Sequence, residues 1–405
     1  MSSTEKITPA ERAVRDRIRA AGPITFAEFM ALALYGQGGY YRTPAPIGEA
    51  GDYYTSPVAH PLFGALLALQ LEQMWRLLGA PPRFDVLEPG AGDARLARDI
   101  LSYAPYLDAG FAAALRYTCL DPCPRDSGPP LPNLSWAGDV PDAPLTGCIL
   151  SNEFFDALPL HRVAIVNGTL QEIYVTLDGD RLVETLGDPS TPALAERLAA
   201  ENVRLQEGWR AEICLAASHA MQRLAGALHR GYILTIDYGD MAEDLYVAAR
   251  RHGTLACAFR HASQQDALVR VGRQDITAHA DFTALIAAAR DAGAPPVVLF
   301  TQAEFLRNLG AQLFLDSLAA QRLPALDLQA NRFAIRDLLR GDGLGNFRVL
   351  VQAKDAPARD LACFSNNSEW LDALRQRLPT LPLPLLTPRH MRLLAGRYPH
   401  LAARG

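Results

Sequence analysis

The chain has 405 residues, 49% of them hydrophobic, enough to bury one large core or two moderate ones. A formal net charge of −5 and a pI near 6.0 exclude the broad basic face that a nucleic-acid footprint needs. No apolar run approaches the roughly 18 residues of a membrane span, so no membrane insertion is expected.

The opening stretch, MSSTEKITPAERAVRDRIRAAG, has mixed charge, lacks the apolar centre of a signal peptide and is too acidic for a good transit peptide. The six cysteines, at 119, 123, 148, 214, 257 and 363, form no CxxC pair and no metal-ligand spacing with the histidines. Reduced thiols in a cytoplasmic protein without a bound metal are therefore expected. Residues 9 to 21 and 26 to 35 carry helical apolar spacing, the second stretch opening behind Thr25 as a cap. A loop follows, GQGGYYRTPAPIGEAGDYYTSP, residues 36 to 57, with four tyrosines, five glycines and three prolines. A loop of that length is uncommon unless functional or disordered, and its tyrosines at 40, 41, 53 and 54 argue against disorder. It reads as a lid over a pocket, the alternative being a surface loop that packs its aromatics on the core. Residues 60 to 79 form a helix ending at Gly79 and Pro81.

Residues 84 to 101, FDVLEPGAGDARLARDIL, read as a short apolar strand, an acid, a glycine loop and a helix. Phe84, Val86 and Leu87 make the strand, Gly90 and Gly92 the tight turn, and Leu96, Ile100 and Leu101 the apolar stripe of the helix. In an open parallel sheet, ligands sit outside the carboxyl ends of the strands, so Glu88, Gly90, Ala91 and Gly92 are expected to face a cofactor. A dinucleotide fingerprint needs a third small residue where this chain has Arg95. An acid two residues before the first glycine also sits awkwardly beside a pyrophosphate, whereas it suits the ammonium and sulfonium of S-adenosylmethionine.

Alternating strands and helices then predict a doubly wound sheet. Strands are expected at 115–120, ending at Asp121 in the place of a ribose ligand; at 133–136, before Asp139, which would meet the adenine amino group; and at 147–152, ending at Asn152 beside the cofactor. A long helix at about 210–229, a strand at 231–239, a helix at 281–292 and strands at 295–300 and 347–353 complete the series. Residues 157–209 and 240–280 are surplus. The first of these reads as hairpin strands at 160–166, 170–177 and 181–186, turned by Asn167-Gly168 and Asp178-Gly179. The expected architecture is α/β, Rossmann-like, with a seven-stranded mostly parallel sheet, a helical N-terminal cap over 1–80, a core over 81–354 carrying the two inserted α+β segments, and an extension over 355–405 with a short basic helix near 387–397.

The stretches SNEFFDALPLHR, residues 151 to 162, and GRQDITAHADF, residues 272 to 282, together with FMALALYGQGGYY and GDYYTSP near the N-terminus, resemble the MidA-type class I methyltransferases, the DUF185 or COG1565 family. The resemblance covers roughly residues 25 to 350. It implies S-adenosylmethionine as cofactor and a class I methyltransferase core. Mitochondrial members of that family are complex I assembly factors that methylate an arginine of a protein, so an arginine-containing protein partner is implied. Tyr40, Thr55, Ser56 and Pro57, in the stretches of resemblance, are expected on the cofactor side. Members usually carry a GPGRG loop. Here Asp93 stands in place of that arginine.

Methyl transfer from a sulfonium is an in-line displacement that needs an electron pair within roughly 3–3.5 Å of the methyl carbon. A guanidinium, with a pKa above about 12, is a poor nucleophile until carboxylates localise its charge and orient one nitrogen. Glu153 and Asp156 follow the fourth strand at a spacing that puts both carboxyls on one turn, and are expected as first and second guanidinium ligands. Asp237 is a third candidate, on the acceptor side or as a turn-maker. His161 reads as structural, and His279 as a hydrogen-bonded structural histidine or, alternatively, a base. Two other readings stand beside this one: an assembly chaperone that binds the cofactor without essential catalysis, and an NAD-dependent oxidoreductase, which binding of NAD instead of S-adenosylmethionine would reveal. Nothing in the residues decides the oligomeric state, a dimer included.

Overall fold

A computed structural model describes residues 7–42, 55–125, 128–259, 262–264, 266–364, 368–387 and 390. Its centre is a sheet of seven strands: β1 Phe84–Pro89, β2 Leu115–Leu120, β3 Leu134–Ala137, β4 Leu145–Asn152, β5 Leu228–Asp237, β6 Pro296–Thr301 and β7 Arg348–Lys354. They lie in the order β6-β7-β5-β4-β1-β2-β3. β7 runs antiparallel to both neighbours, and the other adjacent pairs are parallel. The chain leaves β1 toward β2 and β3, then returns to place β4 on the other side of β1. That reversal opens a crevice at the carboxyl ends of β1 and β4. Every residue of β1 is buried, as the centre of a sheet covered on both faces requires.

The layers differ from the expected division in one respect. The Leu62–Leu77 helix does not belong to a separate cap: Phe63, Leu66, Leu67 and Met74 join Phe84, Phe111 and Tyr117 in the main core cluster. The true cap is formed by the helices Pro9–Ala21 and Phe26–Tyr35, the latter capped by Thr25, whose hydroxyl accepts the Glu28 N–H at 3.1 Å. Phe26, Phe29, Met30 and Leu34 form a second cluster with Leu255, Val271 and Ile276 of the second insertion. Beyond β7, Leu361, Cys363 and Leu374 return to the main cluster. The basic helix expected near 387–397 lies outside the described residues, His390 apart.

The first insertion forms its own antiparallel sheet from His161–Val166, Thr169–Asp178, Arg181–Gly187 and Arg210–Ile213, extended by Ile24–Thr25. Two expectations are corrected here. Residues 210–213 are a strand rather than the start of a helix, because Ala211 and Ile213 bury into the insertion's own cluster; the helix runs over Leu215–Ala227. The second hairpin turns through Gly179 and Asp180, since Asp178 already pairs with Arg181. Three helices that the chain's periodicity did not suggest, Gln302–Asn308, Ala311–Ala319 and Ala325–Leu338, stand between β6 and β7 and bury Phe305, Phe314 and Ile335 in the main core. No helix among the described residues is long and apolar enough to cross a membrane.

Candidate functional site

A cavity of about 370 Å³ occupies the crevice, within the range of roughly 300–1,000 Å³ usual for small-molecule sites. Its floor is the glycine loop. Gly90 has φ +71°, and a Cβ there would stand 2.8 Å from the Phe154 ring, so both the turn and the close approach demand glycine. Gly92, at φ +56°, donates its N–H to Asp121 Oδ2 at 3.2 Å, while Cys123 N–H donates to Asp121 Oδ1 at 2.7 Å. Asp121 thus ties the β1 loop to the β2 loop at the cavity wall.

Among the expected cofactor residues, Thr55, Pro57, Glu88, Gly90, Ala91, Gly92, Asp121, Asp139 and Asn152 line the cavity. Glu88 is 5% exposed and accepts the Tyr117 hydroxyl at 2.8 Å. Burial pushes its carboxyl up to about 8, against the pull of the Tyr117 bond. Asp139 sits at the rim, ion-paired to Arg223 at 2.6 Å. Two expected residues lie off the cavity. Tyr40 is buried in the cap cluster, where its ring packs edge-on against Tyr41, and it is Tyr41 that reaches the cavity. The Ser56 side chain is wholly buried and donates to Gln302 Oε1 at 2.9 Å, leaving its backbone N–H to serve the site. Of the lid, residues 43–54, with Tyr53 and Tyr54, lie outside the described residues.

The three predicted carboxyls are placed differently from one another. Glu153 lines the cavity in a left-handed backbone, φ +50°, an uncommon conformation for a residue with a side chain and one that clusters at functional sites. Its Oε1 accepts the Asn152 amide at 3.0 Å, and the Ser56 backbone N–H also donates to the carboxylate. Burial, and then repulsion from Asp156, push Glu153 up to about 8. Asp156 is 5% exposed and turns away, into a smaller pocket with Cys214, Tyr246 and His279; it is not a wall of the cavity. Burial raises it to about 6, opposed by the Tyr238 hydroxyl and neighbouring backbone N–H groups. Asp237 is wholly buried. Its Oδ2 accepts the N–H groups of Phe154 at 3.2 Å and Phe155 at 2.8 Å, and Oδ1 that of Tyr238 at 2.9 Å. This carboxyl braces the turn that presents Glu153 and touches nothing in the cavity, which corrects its reading as a catalytic group. His161 pairs with Glu172 at 2.7 Å, and His279 lies edge-on to Tyr238, outside the cavity.

Several wall residues were not expected. Tyr35, at the end of its helix, donates its hydroxyl to Ala157 O at 2.9 Å and so joins cap to core at the cavity; its place just before the glycine loop was the available signal. Arg95 stood out in the sequence only as the residue that breaks a dinucleotide fingerprint, and Arg125 had no signal beyond its charge.

Residues 66–298 match the model of a family described as "Putative S-adenosyl-L-methionine-dependent methyltransferase". The chain is 28% identical to a solved COG1565 superfamily member from Burkholderia thailandensis bound to S-adenosyl-homocysteine, with a TM-score of 0.75 over 88% of this chain and 94% of that one. A second structure of a protein of this superfamily from the same organism gives 29% identity and a TM-score of 0.76, with the same coverage. The human mitochondrial protein arginine methyltransferase NDUFAF7 is 29% identical, over 77% of this chain and 76% of its own length.

Proposed function

The chain belongs to this family of S-adenosyl-L-methionine-dependent methyltransferases, and on that premise we propose that its methyl acceptor is an arginine side chain of a protein. The carrying observation is Glu153: a buried carboxyl on the cavity wall, fixed by Asn152 and the Ser56 N–H in a strained backbone. The residues present fit the cofactor. Glu88 and Asp121 offer carboxylates at the strand ends where an ammonium and a ribose hydroxyl pair need them, and the glycine loop leaves room for the chain between. S-adenosylmethionine supplies, when bound, an electrophilic methyl on a sulfonium.

Glu153 would hold the guanidinium, draw positive charge toward the nitrogens it contacts and leave one nitrogen facing the methyl. Asp156 acts behind it. Its charge raises Glu153 and so favours a cation at that carboxylate, a positioning role in place of the direct contact expected. Asp237 holds the whole turn. The named arginine methyltransferase relatives support the acceptor class, and a reducing compartment such as the cytoplasm suits six unpaired cysteines.

The test compares methyl-arginine across the proteome, by mass spectrometry, with and without the gene, then assays the peptide found. Glu153→Gln should lower turnover of that peptide by about 30-fold or more, from the roughly 2–5 kcal/mol lost when one partner of a buried charge pair is truncated. Methylation that persists unchanged in this variant would remove Glu153 from the reaction, and loss of methyl-lysine or methyl-glutamine alone on deletion would change the acceptor.

A further inference from the structure

We propose that Arg95 is the group that holds the carboxylate of the cofactor's amino-acid end. The proposal rests on the reading of the cavity as an S-adenosylmethionine site. Arg95 is the first residue of the nine-residue Arg95–Tyr103 helix, is 6% exposed and lines the cavity. One terminal nitrogen of its guanidinium donates to Asp93 Oδ2 at 2.8 Å. The other terminal nitrogen and Nε are buried and have no hydrogen-bond partner among the described residues. Buried, charged donors left without a partner are costly, and their usual remedy is an anion.

Among the described residues three other arginines line the cavity, and none is as deeply buried. Arg42 and Arg223 are exposed, the first donating to Tyr35 O and the second paired to Asp139. Arg125 is half-buried on the β2 loop, where its backbone N–H donates to Gly92 O at 3.3 Å; its Nε is also buried without a hydrogen-bond partner among the described residues, one such nitrogen against two on Arg95. Arg95 alone of the four is nine-tenths buried. Its position also follows from the charge of the ligand. An amino-acid end carries an ammonium and a carboxylate on one carbon, so it needs an acid and a base a few ångströms apart. Glu88 precedes the glycine loop and Arg95 follows it. Arg95 also opens a helix, whose free N–H groups and dipole favour an anion at that end.

Asp93 is the positioning residue. Its Oδ1 accepts the Arg95 backbone N–H at 3.1 Å while Oδ2 accepts one guanidinium N–H at 2.8 Å, which holds the guanidinium at the cavity wall.

Calorimetry with two ligands tests the assignment: S-adenosyl-homocysteine, which has the amino-acid end, and 5′-methylthioadenosine, which keeps the adenosine and sulfur but lacks it. Arg95→Gln should weaken S-adenosyl-homocysteine by about 10- to 100-fold, the usual loss for a hydrogen bond to a charged group, and leave 5′-methylthioadenosine within about twofold. Arg95→Lys, which keeps the charge and loses the planar fork, should fall between and serves if the glutamine variant does not fold. Equal weakening of both ligands would make Arg95 a structural residue and overturn the proposal, as would no change in either. Wild-type protein that binds 5′-methylthioadenosine and ignores S-adenosyl-homocysteine also overturns it. Silence toward both ligands instead removes the cofactor reading itself.

Discussion

Glu88 and Glu153 share a physical predicament: each is a carboxyl taken out of water at the cavity wall, and burial raises each from an ordinary 4.5 to about 8. Because the folded value lies above the unfolded one, the neutral form stabilises the fold fully below pH 4.5, and that contribution is lost as pH rises through about 8. The ligand reverses the preference. Affinity for S-adenosylmethionine, which carries an ammonium and a sulfonium, should therefore rise between pH 6 and 9, and Glu88→Gln should flatten the rise. Titration calorimetry across that range checks it; a profile of the same slope in the variant would assign the proton to another group. At this scale the strand-end acids and glycines were legible because the chemistry is local: a turn that needs positive φ at Gly90 and Gly92 can be read without knowing its neighbours. Arg95 was legible only as an obstacle to a dinucleotide. Its burial beside Asp93 depends on how the helix it opens packs against the Ser56–Ala59 turn and the Leu62–Leu77 helix.

The turn after β4 shows what an element can and cannot disclose. Asn152-Glu153-Phe154-Phe155-Asp156 reads as two acids on one turn, and a helix-like spacing suggests that both face the crevice. The structure separates them, because Asp237, more than 80 residues along the chain, collects the N–H groups of Phe154 and Phe155 and forces a left-handed kink at Glu153. Asp237→Ala would strand those groups. With each buried unsatisfied donor costing about 1–3 kcal/mol, the variant should unfold at clearly lower denaturant and bind S-adenosyl-homocysteine weakly. Unaltered stability in a denaturant titration would contradict the bracing role. The strand at Arg210–Ile213 was misread for a related reason: four residues carry too little periodicity to compete with the helix that follows, and only the neighbouring His161–Val166 strand makes them extended.

The whole molecule closes by bringing its ends and insertions over the crevice. Thr8 donates its hydroxyl to Val271 O at 2.6 Å, joining the first helix to the second insertion. Ile24–Thr25 adds a strand to the first. Phe29, fully buried between them, does not line the cavity, yet its helix ends at Tyr35, which does. Phe29→Ala should cost about 3–5 kcal/mol, the usual penalty for truncating a buried phenylalanine, read as a shift in the denaturation midpoint. Cofactor affinity should fall with it, because Tyr35 and Tyr41 lose their support; a variant that is destabilised and still binds at full strength would show that the cap is independent of the site.

Sequence by itself determined the cofactor strand, its glycine loop, the seven-strand plan and the cofactor class, since strand periodicity, turn chemistry and an acid at a strand end are properties of neighbours in the chain. Tertiary structure alone decided which carboxyl lines the cavity, which braces the turn and which arginine is nine-tenths buried at the cavity wall. Those roles depend on burial and on partners far away in sequence. A side chain's charge is written in its residue, but its work is set by what surrounds it after folding.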